Sequence, residues 1–381
     1  MDLPATLLVT NDFPPDVGGI QRTLASLVHE LPADRVSVLC PTPADGEEAA
    51  RDHDAEVPFR VLRQPEPFLW PTGDVRRRLH AAARETGAEV VLFGAIAPLA
   101  LLGPSLAQAG IPYVAAAHGF EYWTSIAPGT HALTRRATRS CSRVAVMCSA
   151  FIARRVRTAV PRPVPVSVLY PGADTQRFRP DLPTDDLRAE LRLADRPVVV
   201  CVSRLVRRKG QDVLIRGLDR IRRRVPDATL VIVGSGPDEG RLRALAAEAP
   251  RGAVVLTGGV PEVDLPRYYA LGDVFAMPCR TRLAGMEVEG WGNVFLEAAA
   301  CGRPVVVGDS GGARESLVDG ETGILVHGSA VEEVADAVAT LLADPGLAAK
   351  MGDAGRERVL RSYTWPSIAA TLGGWLGEAA G

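Results

Sequence analysis

Short apolar runs rich in Val and Leu alternate along this chain with longer Ala/Leu/Arg segments of helical period, and that alternation leaves few folds open. Apolar runs without polar interruption read as strands buried on both faces, which occur where helices cover both sides of a parallel sheet. The first half holds five such runs: Leu7–Thr10, Val36–Leu39, Val90–Gly94, Tyr113–Ala117 and Val144–Met147. A second series follows at Val198–Ser203, Thr229–Gly234, Val254–Thr257, Val274–Met277, Pro304–Val307 and Gly323–Val326. Each series predicts its own doubly wound sheet.

A length of 381 residues exceeds one ordinary domain, so two domains are expected. Between the two series lie prolines at 161, 163, 165, 171, 180 and 183. Proline fixes φ and discourages continuous regular structure, as a connector would. This places domains at 1–175 and 176–362, followed by a tail at 363–381.

The formal net charge of -2 gives no global basic field, so nucleic acid is not expected as a partner. Six cysteines are scattered without CxxC spacing, which suits buried thiols in a reducing cytoplasm. No apolar stretch approaches the roughly 18 residues of a spanning helix, so a soluble or peripheral protein is expected. One local basic stretch stands out: Arg135, Arg136, Arg139, Arg143, Arg154, Arg155, Arg157 and Arg162, with no acid between Glu121 and Asp174. It suits the inner face of an anionic membrane, or simply a solvated face in a chain whose lysines are only Lys209 and Lys350.

Ligands of open parallel sheets sit outside the carboxyl ends of the strands, so the residues after each strand carry the chemistry. After the first strand comes Asn11-Asp-Phe-Pro-Pro-Asp-Val-Gly-Gly-Ile20, where Gly18 and Gly19 permit close backbone approach before a helix near Gln21. Alone, such a segment is more often a plain strand-to-helix turn, and it is not a dinucleotide fingerprint. After the first strand of the second series, Arg204 and Lys209 stand five residues apart; they suit a diphosphate leaving group or a solvated basic loop. Glu289-Gly-Trp-Gly-Asn-Val-Phe-Leu-Glu297 sets one carboxylate in a Gly-rich loop and another inside an Ala-rich helix. The first helical N–H groups, around Asn293 and Val294, can meet phosphate oxygens. Glu297 can bind a ribose diol and Glu289 sugar hydroxyls. His118 ends a strand and precedes Gly119; a lone histidine there is also a common structural hydrogen-bonding residue.

Taken together, Gly18-Gly19, Ser203-Arg204 with Lys209-Gly210, Val233-Gly-Ser-Gly236, the Glu289/Glu297 pair and Gly311-Gly-Ala-Arg-Glu315 resemble the retaining, GT-B-fold glycosyltransferases of family 4, over nearly the whole length. The resemblance implies two Rossmann-like domains facing across a cleft, with an acceptor-binding first domain, a donor-binding second domain and a tail helix that returns to the first. It implies a nucleoside diphosphate sugar held by Arg204 and Lys209 at the diphosphate, Glu297 at the ribose, Glu289 at the sugar and backbone near Thr257-Gly258 at the base. Gly19 would approach from the opposite domain, and His118 would face the sugar. No carboxylate suits a covalent nucleophile, and no DxD triplet follows a strand. A metal-independent front-face displacement with no cofactor is therefore expected.

Within the family, Val9-Thr-Asn-Asp-Phe-Pro-Pro15, Phe93-Gly-Ala-Ile-Ala-Pro-Leu-Ala100 and Arg280-Thr-Arg282 are similar to actinobacterial GDP-mannose-dependent phosphatidylinositol mannoside mannosyltransferases. Departures fall at Asp16, Phe120, Trp291 and Asn293. Asp16, with Glu121 nearby, would repel an inositol phosphate and attract an ammonium group. Asp12, Asp16, Glu121 and Tyr122 form the expected acceptor side. On these few residues a UDP-hexose donor and a small polyhydroxylated aminocyclitol acceptor are preferred, as in the family's aminocyclitol-antibiotic enzymes. GDP-mannose with phosphatidylinositol mannoside is the alternative. A noncatalytic nucleotide-sugar-binding subunit is more remote, and a GT-B sugar-nucleotide epimerase matches the motifs less well.

Overall fold

The computed structural model describes residues 3–125 and 127–381. Two compact units emerge: the first runs to Pro171 and takes up Trp365–Gly381, and the second is Gly172–Thr364.

The first unit is built on seven strands: β1 (Thr6–Val9), β2 (Val36–Pro41), β3 (Arg60–Gln64), β4 (Val90–Phe93), β5 (Tyr113–Ala117), β6 (Arg143–Val146) and β7 (Val166–Val168). All pair in parallel in the order β3-β2-β1-β4-β5-β6-β7. Leu8 of β1 stands between Val38 and Leu92, and all three are buried. Two of these strands escape the sequence reading for physical reasons. β3 reads Arg-Val-Leu-Arg-Gln, an edge strand whose residues are only partly covered, so it lacks the apolar run. β7 is three residues long and lies among prolines that read as a connector.

The terminal helix Trp365–Ala380 packs into this unit's core, where Trp365, Ile368, Ala369, Leu372 and Leu376 join Leu8, Leu24, Leu27 and Leu92. Burying side chains of this size contributes roughly 1.5–3 kcal/mol each, so the tail is a structural part of the first unit. Arg143 fastens its end, with Nη2 2.7 Å from Glu378 Oε2 and its guanidinium 5.1 Å from the Trp375 ring centre.

The second unit contains β8 (Val198–Val202), β9 (Thr229–Val233), β10 (Val254–Gly258), β11 (Val274–Met277), β12 (Val305–Gly308) and β13 (Gly323–Val326). Their order is β10-β9-β8-β11-β12-β13, again all parallel. The helix Gln211–Arg224 lies tightly against Val331–Ala343. At Gly217, even an added Cβ would come within 3.1 Å of the Ala335 methyl. Each sheet reverses strand order beside its first strand, at β1/β4 and at β8/β11, which is where an open α/β sheet forms its ligand crevice.

All six cysteines are free and buried. Burial pushes the thiols of Cys40, Cys141, Cys201 and Cys301 up to about 12, so they remain protonated at neutral pH.

Candidate functional site

In the second unit, the chain leaving β8 turns against the chain leaving β9. Gly234, at φ +133°, leaves no room for a side chain because its Cβ would lie 2.1 Å from the Ser203 carbonyl oxygen. Beneath this turn Gln211 Nε2 donates to Ser203 Oγ at 2.8 Å and to the Arg204 carbonyl at 3.2 Å. Arg204 itself is exposed. Lys209 ends a short 3-10 turn before Gly210, which is left-handed at φ +80°; a Cβ there would lie 2.1 Å from the Pro278 carbonyl. The lysine is thereby directed inward and is 9% exposed.

Lys209 meets Glu289. Its Nζ lies 2.7 Å from Glu289 Oε2, and the Arg208 Nε is 3.7 Å from the same oxygen. Glu289 is 6% exposed. Its backbone is held by the chain leaving β12: the Glu289 N–H donates to Ser310 Oγ at 3.2 Å, and its carbonyl accepts from Gly312 at 2.9 Å. Thr281 Oγ1 lies 3.0 Å from the same serine hydroxyl. Sequence reasoning missed Ser310; its position just before Gly311 was the available signal.

Gly292 is left-handed at φ +92° and starts the helix Asn293–Ala300 without a capping side chain. Asn293 and Val294 therefore stand at a helix N-terminus, where backbone N–H groups lack intrahelical acceptors. One turn on, Glu297 is buried, and the Tyr269 hydroxyl donates to its Oε2 at 2.5 Å. Burial and the Glu297 carboxylate hold the Tyr269 phenol well above its usual range, so it stays a donor. No pattern in the sequence marks Tyr269, because it lies in a short helix of a different segment. Thr257 and Gly258 end β10, where the register shifts, and the Gly258 carbonyl accepts from Gly234 at 2.8 Å. Tyr269→Phe is expected to leave the fold intact and lower its stability by about 1.5–3 kcal/mol, the worth of one hydrogen bond to a charged group. Denaturant unfolding checks this; unchanged stability would show that Glu297 does not need the phenol.

In the first unit, Gly94 follows β4 and packs on Thr10, whose Oγ1 would lie 2.6 Å from an added Cβ. The Gly94 carbonyl accepts from His118 Nε2 at 2.7 Å, which fixes the Nε2–H tautomer for the neutral ring. Burial lowers the His118 pKa, against smaller opposing effects of the Gly94 hydrogen bond and Asp12. Asp12 Oδ1 accepts from Gln21 Nε2 at 3.0 Å, and burial raises the Asp12 pKa. A depressed histidine pKa contributes stability that is complete above the unfolded value of about 6.5 and is lost as pH falls through the folded value. The His118 ring is accordingly expected to be neutral at pH 6.5, as followed by NMR titration; a midpoint above 6.5 would contradict the burial.

Asp16 is exposed, and Tyr122 is half-buried with its ring stacked on Phe151 at 5.7 Å. Glu121 is buried, and its Oε2 accepts the backbone N–H groups of His118 at 2.9 Å and Gly119 at 3.2 Å. The reason is local: Gly119 is left-handed at φ +112°, so the chain folds back and presents both amides to the first residue of the next helix. Gly18 and Gly19 open the helix Gly19–His29; an added Cβ at Gly19 would meet nothing within 4 Å, so packing inside the unit does not demand glycine there. Among the described residues, no three or more His, Cys, Asp or Glu side chains are grouped to hold a metal ion.

Two parallel sheets of this topology, the second carrying a Lys/Glu pair and a helix N-terminus outside the carboxyl ends of its strands, define a GT-B hexosyltransferase. The chain belongs to the family 4 glycosyltransferases: the family model "Glycosyltransferase Family 4" matches residues 17–177, and "Glycosyl transferases group 1" matches residues 183–358. It is 45% identical over 96% of both chains to a GDP-mannose-dependent alpha-(1-6)-phosphatidylinositol monomannoside mannosyltransferase of Mycolicibacterium smegmatis. Similarity to the alpha-D-kanosaminyltransferase of Streptomyces kanamyceticus is 34% over 51% of this chain and 50% of that one. The structure of Anabaena HepE in complex with UDP superposes with a TM-score of 0.78 at 21% identity, covering 98% of this chain and 99% of that one, and so shares the fold. The balance between donors therefore shifts from the aminocyclitol preference toward the alternative, because the mannosyltransferase likeness extends over both domains.

Proposed function

We propose that this protein is a retaining, GDP-mannose-dependent α-mannosyltransferase that extends a phosphatidylinositol mannoside. The observation that carries the chemistry is the buried Lys209–Glu289 pair at the carboxyl ends of β8 and β11; the full-length likeness to mannosyltransferases supports the donor and acceptor.

Arg204 and Lys209 place positive charge on the diphosphate as it leaves, with the N–H groups of Asn293 and Val294 beside them. Such preorganised charge lowers the barrier because it is complementary to the transition state. Glu289 positions the mannosyl hydroxyls, Glu297 the ribose, and the Thr257-Gly258 backbone borders the base. In the first domain Gly18 and Gly19 leave backbone open to a ligand, and His118, whose Nε2–H is held by the Gly94 carbonyl, keeps a bare Nδ1 that accepts from a hydroxyl. Glu289 is committed to Lys209, which suits orientation better than nucleophilic attack. Retention then follows from front-face displacement, in which the attacking hydroxyl passes its proton to the departing diphosphate oxygen. These fixed cations make turnover independent of added divalent metal.

For the acceptor, Asp12, Asp16 and Tyr122 remain the side chains nearest the expected acceptor end of the first domain, with Glu121 acting through the backbone. Arg135, Arg136, Arg139, Arg154 and Arg162 are exposed and suit peripheral contact with an anionic leaflet, whereas Arg143 and Arg157 are used within the unit. Among the described residues no helix is long and apolar enough to cross a membrane.

The test is transfer of labelled mannose from GDP-mannose to phosphatidylinositol monomannoside in the presence of chelator, beside thermal stabilisation by GDP and UDP at matched concentration. Labelled lipid and a larger shift with GDP are expected. A larger shift with UDP and unlabelled lipid would return the aminocyclitol reading, and stabilisation without GDP release would indicate a noncatalytic binder.

A further inference from the structure

A cavity of about 400 Å³ in the second unit is lined by Arg207, Arg216, Arg241, Arg280, Arg282 and Thr281, among others. None of the residues assigned above to the donor lines it. Two buried carboxylates organise its arginines. Asp212, 4% exposed, lies 2.8 Å from Arg280 Nη2, 3.5 Å from Arg241 Nη1 and 3.9 Å from Arg216 Nη1. Asp238, 8% exposed, takes both Nε and Nη2 of Arg241 at 2.8 and 2.6 Å, and lies 3.8 Å from Arg207. Arg282 pairs with Glu287 at 2.7 Å.

Five guanidiniums thus meet three carboxylates around one cavity, leaving positive charge in excess. Each guanidinium has five donors; hydrogen bonds to the carboxylates fix the planes of Arg241, Arg280 and Arg282, while Arg207 and Arg216, 3.8 and 3.9 Å from theirs, keep their donors open. Arg216 and Arg207 remain more than half exposed at the rim. An array of oriented, partly satisfied guanidiniums is the chemistry that receives phosphate oxygens in bidentate fashion. We infer that this cavity is a second anion site, separate from the donor site, which takes a phosphate-bearing ligand.

The probe is inorganic pyrophosphate, titrated calorimetrically into the full chain with GDP and UDP both present in excess to occupy the donor site. Wild type is expected to bind, and Arg204→Gln, altered in the donor site, to bind equally. Arg216→Gln and Arg216→Gln/Arg282→Gln should bind at least tenfold more weakly with unchanged melting temperatures; Arg280 is left intact because its guanidinium is the near partner of buried Asp212, and Thr281 because its hydroxyl meets Ser310, beside the Lys209–Glu289 pair. Sedimentation with phosphatidylinositol/phosphatidylcholine vesicles separates the sources. Vesicle binding displaced by pyrophosphate and lost in the Arg216 variants assigns a lipid headgroup; vesicle binding indifferent to those variants, with pyrophosphate binding still lost, assigns a free phosphate compound. Absence of pyrophosphate binding to wild type under nucleotide, or equal binding by the Arg216 variants, overturns the site.

Discussion

Lys209→Met is expected to lower turnover by about 100- to 1000-fold, the usual cost of removing one preorganised charge from a transition state, and to lower the melting temperature as well. The two losses have different origins. Turnover falls because the ammonium no longer meets the developing charge on the diphosphate. Stability falls because Glu289, 6% exposed, is left with a buried charge and only the more distant Arg208 at 3.7 Å. Breaking a buried pair costs about 3–5 kcal/mol, which in a unit of this size amounts to roughly 6–20 °C. Because the penalty comes from the orphaned carboxylate, Lys209→Met/Glu289→Gln should recover most of the melting temperature and none of the activity. Thermal unfolding and initial rates on the three variants check this. If the double variant melts as low as the single one, the pair is not the source of the stability; if Lys209→Met turns over normally, the lysine does not act on the leaving group.

That pair also shows how far the sequence can be read. The six strands of the second unit are all short apolar runs, even partly covered β10, whose Val-Val-Leu keeps the pattern, so they were legible. β3 and β7 were not, since partial exposure admits arginine and serine and removes the pattern that marks a strand. Lys209 and Glu289 were each visible from their position after a strand, but nothing in a spacing of eighty residues says that they touch. Their meeting depends on Gly210, whose close approach to the Pro278 carbonyl turns the lysine inward, and on Ser310, which holds the Glu289 backbone. Tyr269 was illegible altogether, because a single tyrosine in a short helix carries no signature until packing brings its hydroxyl to Glu297. For the donor, full-length likeness to mannosyltransferases weighs more than two side chains near the acceptor loop, of which Asp16 is a single exposed charge and Glu121 is turned inward.

Glu121→Ala is expected to cost the first unit about 2–6 kcal/mol, since two backbone N–H groups lose their acceptor in a buried setting at roughly 1–3 kcal/mol each. The same change should reduce transfer about 100-fold by displacing His118, because shifts near 1 Å in a reacting site have effects of that order. GDP affinity should be little altered, as the residues assigned to the nucleotide lie in the second unit. Glu121 acts here as a positioning residue, and the geometry offers a test of that role. Both amides bond the same oxygen, Oε2, which the carbonyl oxygen of glutamine can replace, although the backbone amides of Glu121 and Ile96 also bond the carboxylate. Glu121→Gln should therefore restore a large part of the stability and activity that Glu121→Ala loses. Asp16→Asn, at an exposed position, should leave stability unchanged. Were the carboxylate instead recognising an acceptor by charge, Glu121→Gln would fold normally and transfer as poorly as Glu121→Ala, with the loss appearing in the acceptor KM rather than in kcat.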